Sequence, residues 1–327
     1  MKVLVLCGIG ELDEWTELLN KLNQRPKLGI EFLAFKADDK DNINKYLPEV
    51  EAAIIDCSQF HKEELDQAKK LKLVQFPFTG VDSLDFDLYK QYPNISVCIS
   101  HMAGVDIAEH AFAFILALAK RTLQYDDDIK NDRWFNYMNN DFNIRLQGKN
   151  IGILGFGSIG EEVAKIAYRF GMNVYAIKRN IKSIDRRKHL EFIGEMKDME
   201  KVIKYSDFIL LSMPLTKETK GLIGEKEFRL MKGKYFINVC RGKIVDEKAL
   251  YNSLKNNGLK GAGLDVFNDE PLGDSPLKEL NNVILSPHIA CNTDRLTDKT
   301  AELVFDNIKR VYFNKEPISK VDLELGY

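Results

Sequence analysis

Short, wholly apolar runs alternate with amphipathic stretches from one end of the chain to the other. Runs of four to six apolar residues read as strands buried on both faces, and the stretches between them as helices with one apolar stripe. Together they predict an α/β fold with parallel sheets. In the first hundred residues strands are expected at 2–7, 32–35, 52–56, 73–76 and 95–98, with helices over 11–23 and 61–70, which makes one small doubly wound lobe. A long helix is expected over 104–121, with Ile107, Ala111, Ile115 and Leu118 on one face. Residues 125–147 are polar, aromatic and poorly periodic, and read as a solvated surface excursion. A second series of strands follows at 150–154, 173–177, 208–212, 235–238, 261–266 and 283–286. A closing helix over 293–313 is free, by its place in the sequence, to fold onto either lobe.

A length of 327 residues suits two domains. With 47 basic and 49 acidic residues, a net charge of -2 leaves no footprint for nucleic acid or an anionic membrane. The apolar run 111–119 is half the length a bilayer requires, and Glu109, His110, Lys120 and Arg121 bracket it, so it reads as a buried helix. Residues 1–10 read as a first strand and not a leader, because the acidic Glu11-Leu12-Asp13-Glu14 follows. The five cysteines (Cys7, Cys57, Cys98, Cys240, Cys291) form no C-x-x-C pair. They read as reduced core thiols of a cytoplasmic protein, with no metal site among them.

The sharpest local signal is Gly155-Phe156-Gly157-Ser158-Ile159-Gly160, a G-x-G-x-x-G that leaves one predicted strand and opens a helix. Gly155 permits the tight turn, Gly157 lets the backbone approach a pyrophosphate, and Gly160 lets helix and strand pack closely. In that helix Ile159, Val163, Ile166 and Phe170 share a face, and Gly171 stands where a C-terminal cap belongs. The helix N-terminus suits phosphate, so the unit predicts dinucleotide binding. Cys7-Gly8-Ile9-Gly10 lacks the third glycine and reads as an ordinary strand–helix turn. At the end of the strand over 173–177 an acid is expected to hold the ribose hydroxyls, yet Lys178 and Arg179 stand there. Two cations favour NADP, with NAD second. Asp185 lies too far along to replace the acid.

Three sets of polar residues follow predicted strands, where open α/β sheets build their sites. They supply Arg241, then Asp265 and Glu270, then His288. A guanidinium grips carboxylate or ketone oxygens with a fixed fork of donors. An imidazole exchanges a proton with a carbonyl or hydroxyl oxygen, and a carboxylate beside it orients the ring. Each of these residues alone is an ordinary surface side chain, but together they suit reversible reduction of a 2-oxo acid. Of the other histidines, His61 and His189 lie in charged stretches that read as solvated helix, while His101 and His110 flank the long helix and stay open as residues of a cleft.

The ordered set of motifs resembles the D-isomer-specific 2-hydroxyacid dehydrogenase family over nearly the whole chain. It comprises Gly155-x-Gly157-x-x-Gly160, Met213-Pro214-Leu215-Thr216-Lys217-Glu218-Thr219, Asn238-x-x-Arg241-Gly242-x-x-Val245-Asp246-Glu247, Leu264-Asp265-Val266-Phe267-x-x-Glu270-Pro271-Leu272 and Pro287-His288-Ile289-Ala290. The resemblance implies that Arg241 binds substrate, His288 is the acid/base and Glu270 its partner. It also implies that Asp265 holds the nicotinamide carboxamide, and that Ser158, Ile159, Met213, Pro214, Thr219, Val239 and Cys240 line the cofactor. Thr79, Gly80 and Val81 fall in a loop whose N–H groups receive the substrate carboxylate, with Thr79 where the family more often has Ala or Ser. The implied architecture is a Rossmann cofactor domain (101–289) inserted in a flavodoxin-like substrate domain (1–100 and 290–327), with a hinge between them. The arm after Arg121 becomes a homodimer contact. The implied activity is reduction of glyoxylate or hydroxypyruvate. Phosphoglycerate dehydrogenase and a dinucleotide-sensing, corepressor-like regulator are the alternatives.

Overall fold

Alternation along the first strand generates both cores of the N-terminal sheet. In β1 (Lys2–Cys7) the side chains of Val3, Val5 and Cys7 enter one apolar cluster, and Leu4 and Leu6 enter another. Successive side chains point to opposite faces, so a strand apolar at every position needs cover on both sides. The structure is a computed structural model of the chain. It describes all residues except 8–11, 25–27, 57–58, 81, 83, 135–142, 182–188 and 327. The Gly8–Gly10 turn, Cys57, Val81, Asp185 and the centre of the arm after Arg121 therefore lie outside the described residues.

The chain divides into two compact units, Met1–Ala103 with Thr293–Tyr327, and Gly104–Asn292. In the first, β1 pairs in parallel with β2 (Glu31–Lys36) and β3 (Ala52–Ile55), which continues through β4 (Leu73–Gln75) to β5 (Ser96–Cys98). The order β2-β1-β3-β4-β5 is flavodoxin-like. The closing helix, Leu296–Tyr312, belongs here. Ala301, Val304, Phe305, Ile308 and Val311 recur at helical spacing and pack with Val3, Val5, Ile54 and Leu73. Asn307 on this helix is wholly buried. Its Nδ2 donates to Gln75 Oε1 (2.7 Å) and to the Ile318 carbonyl (2.9 Å), and its Oδ1 accepts from Ile318 N–H (2.8 Å).

The second unit has seven parallel strands: β6 (Asn150–Leu154), β7 (Asn173–Ile177), β8 (Phe192–Gly194), β9 (Phe208–Leu211), β10 (Tyr235–Asn238), β11 (Gly261–Leu264) and β12 (Val283–Leu285). Their order, β12-β11-β10-β9-β6-β7-β8, is the Rossmann arrangement, with the reversal of strand order between β6 and β9. The edge strand β8 was not expected, because three residues of Phe-Ile-Gly carry no readable period. The start of the expected surface excursion, residues 125–130, lies instead in a helix, Thr122–Lys130, without a buried side chain.

Two helices bury small residues beside the stripes expected of them, whose Ala111, Ile115 and Val163 are buried and whose Ile107, Ile159 and Ile166 pack on the same cluster. Helix Ser158–Arg169 buries Gly160, Val163, Ala164 and Ala167, while Phe170 is largely exposed and stacks on Phe112 at 5.5 Å. Helix Gly104–Lys120 buries Ala108, Ala111, Phe112, Ile115 and Ala119. The two pack through small residues, which let backbones approach. A Cβ on Gly104 would stand 3.3 Å from the Ser158 carbonyl oxygen. Gly171 ends helix Ser158–Arg169 at φ +70, with Gly171 N–H bonded to the Tyr168 carbonyl and Met172 N–H to that of Ala167, a Schellman cap. His189, expected on a solvated helix, sits instead in a turn, its ring 4.2 Å from that of Tyr168. Among the described residues no helix is long and apolar enough to cross a membrane.

Replacing Asn307 with Leu leaves the buried Gln75 Oε1 and the part-buried Ile318 N–H without their partner. Such a loss costs about 1–3 kcal/mol per buried group. Urea denaturation of Asn307→Leu is expected to show the first unit destabilised by at least ~2 kcal/mol; an unchanged midpoint would contradict the assignment.

Candidate active site

Every predicted site residue of the second unit lies just beyond the C-terminal end of a strand. After β6, Gly155 has φ +112, and a Cβ there would stand 2.6 Å from the Ser212 carbonyl oxygen. Gly160 is packed as tightly, since its Cβ would lie 2.5 Å from the Gly155 carbonyl oxygen. Gly157 is different: nothing lies within 4 Å of a Cβ built on it. It caps helix Ser158–Arg169 without a side-chain hydrogen bond. An open backbone position at a helix N-terminus fits the pyrophosphate of a dinucleotide. Ser158 is exposed and Ile159 half-buried beside it.

At the end of β7, Lys178 is half-buried with its Nζ 3.8 Å from Glu161 Oε1, and Arg179 is exposed. The Thr216 hydroxyl, and to a lesser degree the charge of Arg179, hold the Glu218 carboxyl below its usual range. The segment after β9 is self-contained. Thr219 Oγ1 donates to the Pro214 carbonyl (2.7 Å) and accepts from Thr216 N–H (2.8 Å), so this buried hydroxyl shapes the loop. Pro214 is exposed on it, and Met213 is buried beneath.

Beyond β10, Asn238 is the organiser. Its Oδ1 accepts from Cys240 N–H (3.1 Å) and its Nδ2 donates to the Arg241 carbonyl (3.1 Å), which turns the chain so that Arg241 leaves the strand end. Val239 and Cys240 are buried, and Arg241 is half-buried with Nη1 donating to the Cys240 carbonyl (2.7 Å). Gly242 then presses against the next loop so closely that a Cβ would fall 2.0 Å from the Phe267 carbonyl carbon. Contact at that distance excludes every other residue, and it brings the Arg241 loop against the loop carrying Glu270.

Glu270 Oε1 accepts from Phe267 N–H (2.9 Å), and Oε2 lies 2.6 Å from His288 Nδ1. A carboxylate only accepts, so Nδ1 carries the proton, and Nε2 is the nitrogen left to exchange one. The pair is accessible, with side chains 34% and 42% exposed. His288 sits at φ +54, a left-handed conformation uncommon for a non-glycine residue. It is held there by its N–H, which donates to the Asp265 carbonyl (2.8 Å).

Asp265, 1% exposed, is the least accessible of the set. Its Oδ1 accepts from Ser286 Oγ and Ile289 N–H (3.0 Å), and its Oδ2 accepts from Ala290 N–H (2.9 Å). Its carboxylate thus holds the loop on which His288 rides. His110 Nε2 lies 3.0 Å from Ser286 Oγ. Sequence reasoning left His110 open without a partner and gave Ser286 no role. The available signal was a histidine at the edge of the apolar run 111–119, and nothing in its spacing identifies a partner 176 residues away.

In the first unit, Thr79 Oγ1 donates to the Ser100 carbonyl (2.7 Å), and Ser100 N–H donates to the Phe78 carbonyl (3.1 Å). Gly80 follows, half-buried. The hydroxyl that distinguishes Thr79 from an alanine is therefore occupied by its own scaffold.

Residues 112–290 match the family model for the D-isomer specific 2-hydroxyacid dehydrogenase NAD binding domain. A glyoxylate reductase of Thermococcus litoralis is 36% identical over 283 residues, 84% of each chain. A D-3-phosphoglycerate dehydrogenase of Methanocaldococcus jannaschii is 33% identical over 76% of this chain but 47% of its own length. Among solved structures, a D-isomer specific 2-hydroxyacid dehydrogenase of Xanthobacter autotrophicus with NADPH and MES superposes at TM-score 0.84, with 25% identity over 99% of both chains. A D-lactate dehydrogenase of Aquifex aeolicus with NAD and lactic acid superposes at 0.74, with 28% identity over 95% of this chain and 96% of that one.

The three glycines of the loop separate into testable roles. Gly157→Ala meets no neighbour, so its melting temperature is expected to match the wild type, while its dissociation constant for dinucleotide rises at least ~10-fold. Gly160→Ala is expected to lose both stability and binding. Unaltered affinity in Gly157→Ala, by titration calorimetry, would remove this loop from the binding site.

Proposed function

Since the chain belongs to the D-isomer specific 2-hydroxyacid dehydrogenase family, we propose that it is an NADPH-preferring reductase of small 2-oxo acids of glyoxylate or hydroxypyruvate size. The observation that carries this reading is the 2.6 Å His288–Glu270 pair at the strand ends of a dinucleotide-type sheet. In it the second unit is the cofactor domain, and the first is the substrate domain, whose Thr79, Gly80 and Val81 loop receives the substrate carboxylate. The fit to small acids is supported by similarity to a glyoxylate reductase.

The chemistry follows from the residues. The nicotinamide, when bound, supplies the hydride for reduction and accepts it in the reverse direction. Arg241 holds the substrate's carboxylate or ketone oxygen with its planar fork. His288 gives the proton on Nε2 to the ketone oxygen and recovers it in oxidation, while Glu270 holds Nδ1–H and stabilises the imidazolium. Gly155, Gly157, Ser158, Ile159 and Gly160 cradle the pyrophosphate, and Met213, Pro214, Val239 and Cys240 line the bed beyond it. Asp265 offers a carboxamide only the acceptor capacity of Oδ2 beyond its bond to Ala290. Helix Thr122–Lys130 exposes Leu123 and Ile129, and Trp134 follows at 84% exposure, which supports a homodimer through this unit. Buried thiols at Cys7, Cys98 and Cys240 support a reducing, cytoplasmic setting.

The decisive test is a panel of 2-oxo acids, phosphohydroxypyruvate included, with each reduced cofactor, following loss of the nicotinamide's near-ultraviolet absorbance. Turnover of glyoxylate or hydroxypyruvate is expected. Preference for the phosphorylated acid would point to phosphoglycerate dehydrogenase, and a flat trace with cofactor bound would point to a regulator. His288→Ala is expected to lower kcat by about 10²–10⁴ with cofactor affinity little changed. Near-normal turnover in that variant would move the proton to another group.

Cofactor choice rests on Lys178 and Arg179, which replace the acid that would repel a 2′-phosphate. A hydrogen bond to a charged group contributes about 1.5–3 kcal/mol, and exposure of Arg179 favours the lower end. kcat/KM with NADPH is therefore expected to exceed that with NADH by at least ~10-fold. Arg179→Ala should narrow the gap through cofactor KM. Equal efficiency with NADH would overturn the preference.

A further inference from the structure

The buried side of the His288 loop carries a hydrogen-bond chain that the reaction itself does not call for. Asp265 is 1% exposed, and a carboxylate so far from water must be surrounded by donors. Two are the backbone N–H groups of Ile289 and Ala290. The third is the Ser286 hydroxyl, which has a single proton and gives it to Asp265 Oδ1. His110 Nε2, 3.0 Å from the same oxygen, must then be the donor and Ser286 Oγ the acceptor. The chain runs His110 Nε2–H to Ser286 Oγ–H to Asp265 Oδ1, and it has a direction. His110 comes from helix Gly104–Lys120, where its ring meets that of Phe114 edge-on at 4.7 Å and its side chain is 24% exposed. The helix is a rigid, buried element, whereas residues 286–292 form an irregular segment between β12 and the end of the unit.

We propose that His110 is a positioning residue for His288, acting through Ser286 and Asp265. By donating to Ser286 it fixes the rotamer of the hydroxyl, which keeps Asp265 fully satisfied. Asp265 in turn clamps Ile289 and Ala290, the two residues after His288. The His288 backbone, at φ +54, stays in place only because its neighbours are held on both sides. The ring can then meet Glu270 at 2.6 Å with Nε2 presented. An apolar residue at 110 removes the first donor and loosens the loop without touching Arg241, Glu270 or the glycine loop.

The part of this inference that concerns turnover rests on the 2-oxo-acid reductase reading, and the loop's own behaviour does not. The test therefore has two readouts on the full-length protein. In His110→Leu, amide hydrogen exchange across residues 286–292 is expected to accelerate at least ~10-fold over wild type. kcat is expected to fall about 10- to 100-fold with the dissociation constant for NADPH within threefold of wild type. His110→Gln, whose amide can donate at the position of Nε2, should restore both. Should His110→Leu fail to fold, Ser286→Ala breaks the same link and is expected to show the same pair of changes. Wild-type exchange and wild-type kcat in His110→Leu would overturn the proposal. So would a loss that Gln does not restore, which would assign His110 to packing against Phe114. If the wild type reduces no 2-oxo acid, the functional reading fails, and the exchange data alone then decide the role of His110.

Discussion

A carboxylate removed from water imposes its geometry on whatever surrounds it, and Asp265 shows how far that reaches. Its backbone N–H is bonded to the Asn238 carbonyl, its own carbonyl holds His288 N–H, and its side chain gathers the loop after β12. The strand ends of β10, β11 and β12 are thereby tied in one place. Water cannot supply the missing partners at a 1% exposed group, so the loops cannot drift apart without leaving a buried charge uncompensated. His288, more accessible than Asp265, takes its position from it, and Arg241 takes its own from Asn238, to which Asp265 N–H is bonded. Arg241 and His288 reach solvent while their scaffold is closed, a division of labour that suits the proton exchange proposed for His288.

A second constraint is the spacing of backbones. Where the Arg241 loop meets the Glu270 loop, and where helix Ser158–Arg169 meets β6, there is no room for a side chain. Close approach gives each loop a wall of main chain, which neither changes rotamer nor yields to a neighbour's motion. The same economy of volume joins helices Gly104–Lys120 and Ser158–Arg169 through alanine and glycine. Sites with rigid walls hold their donors still, and that is where a protein gains most over water as a medium for reaction.

Much of this was legible in the residues. The strands announced themselves because parallel, doubly covered strands are apolar throughout, and eleven such runs stand where pairing is found. The glycine loop was legible because each glycine answers to a separate steric demand. Pairing of His288 with Glu270 was expected only through the family resemblance, since nothing in the spacing of 18 residues specifies it. Other features escaped. β8 is too short for any period to show. The expected stripe of helix Ser158–Arg169 held for Ile159, Val163 and Ile166, but it left out Gly160, Ala164 and Ala167, the small residues that close packing selects, and Phe170 stays at the rim. His110 and Ser286 stayed hidden for a deeper reason. Their meaning lies in a contact between a helix and a loop distant in sequence, and a hydrogen bond leaves no periodic trace.

The first unit is assembled from two stretches at opposite ends of the chain, and this has a consequence for biosynthesis. Its sheet needs only residues up to Cys98, so the strands can pair while most of the chain is still unmade. The face formed by Val3, Val5, Ile54 and Leu73 nevertheless waits for Ala301, Val304 and Ile308. During translation the intervening unit has all of its residues first and can fold on the ribosome in the ordinary N-to-C order. The sheet beside the nascent chain's start meanwhile presents an uncovered apolar surface. Arrival of the closing helix, not emergence of the first hundred residues, is what completes that core. Until then this face exposes apolar side chains of the kind that chaperones cover.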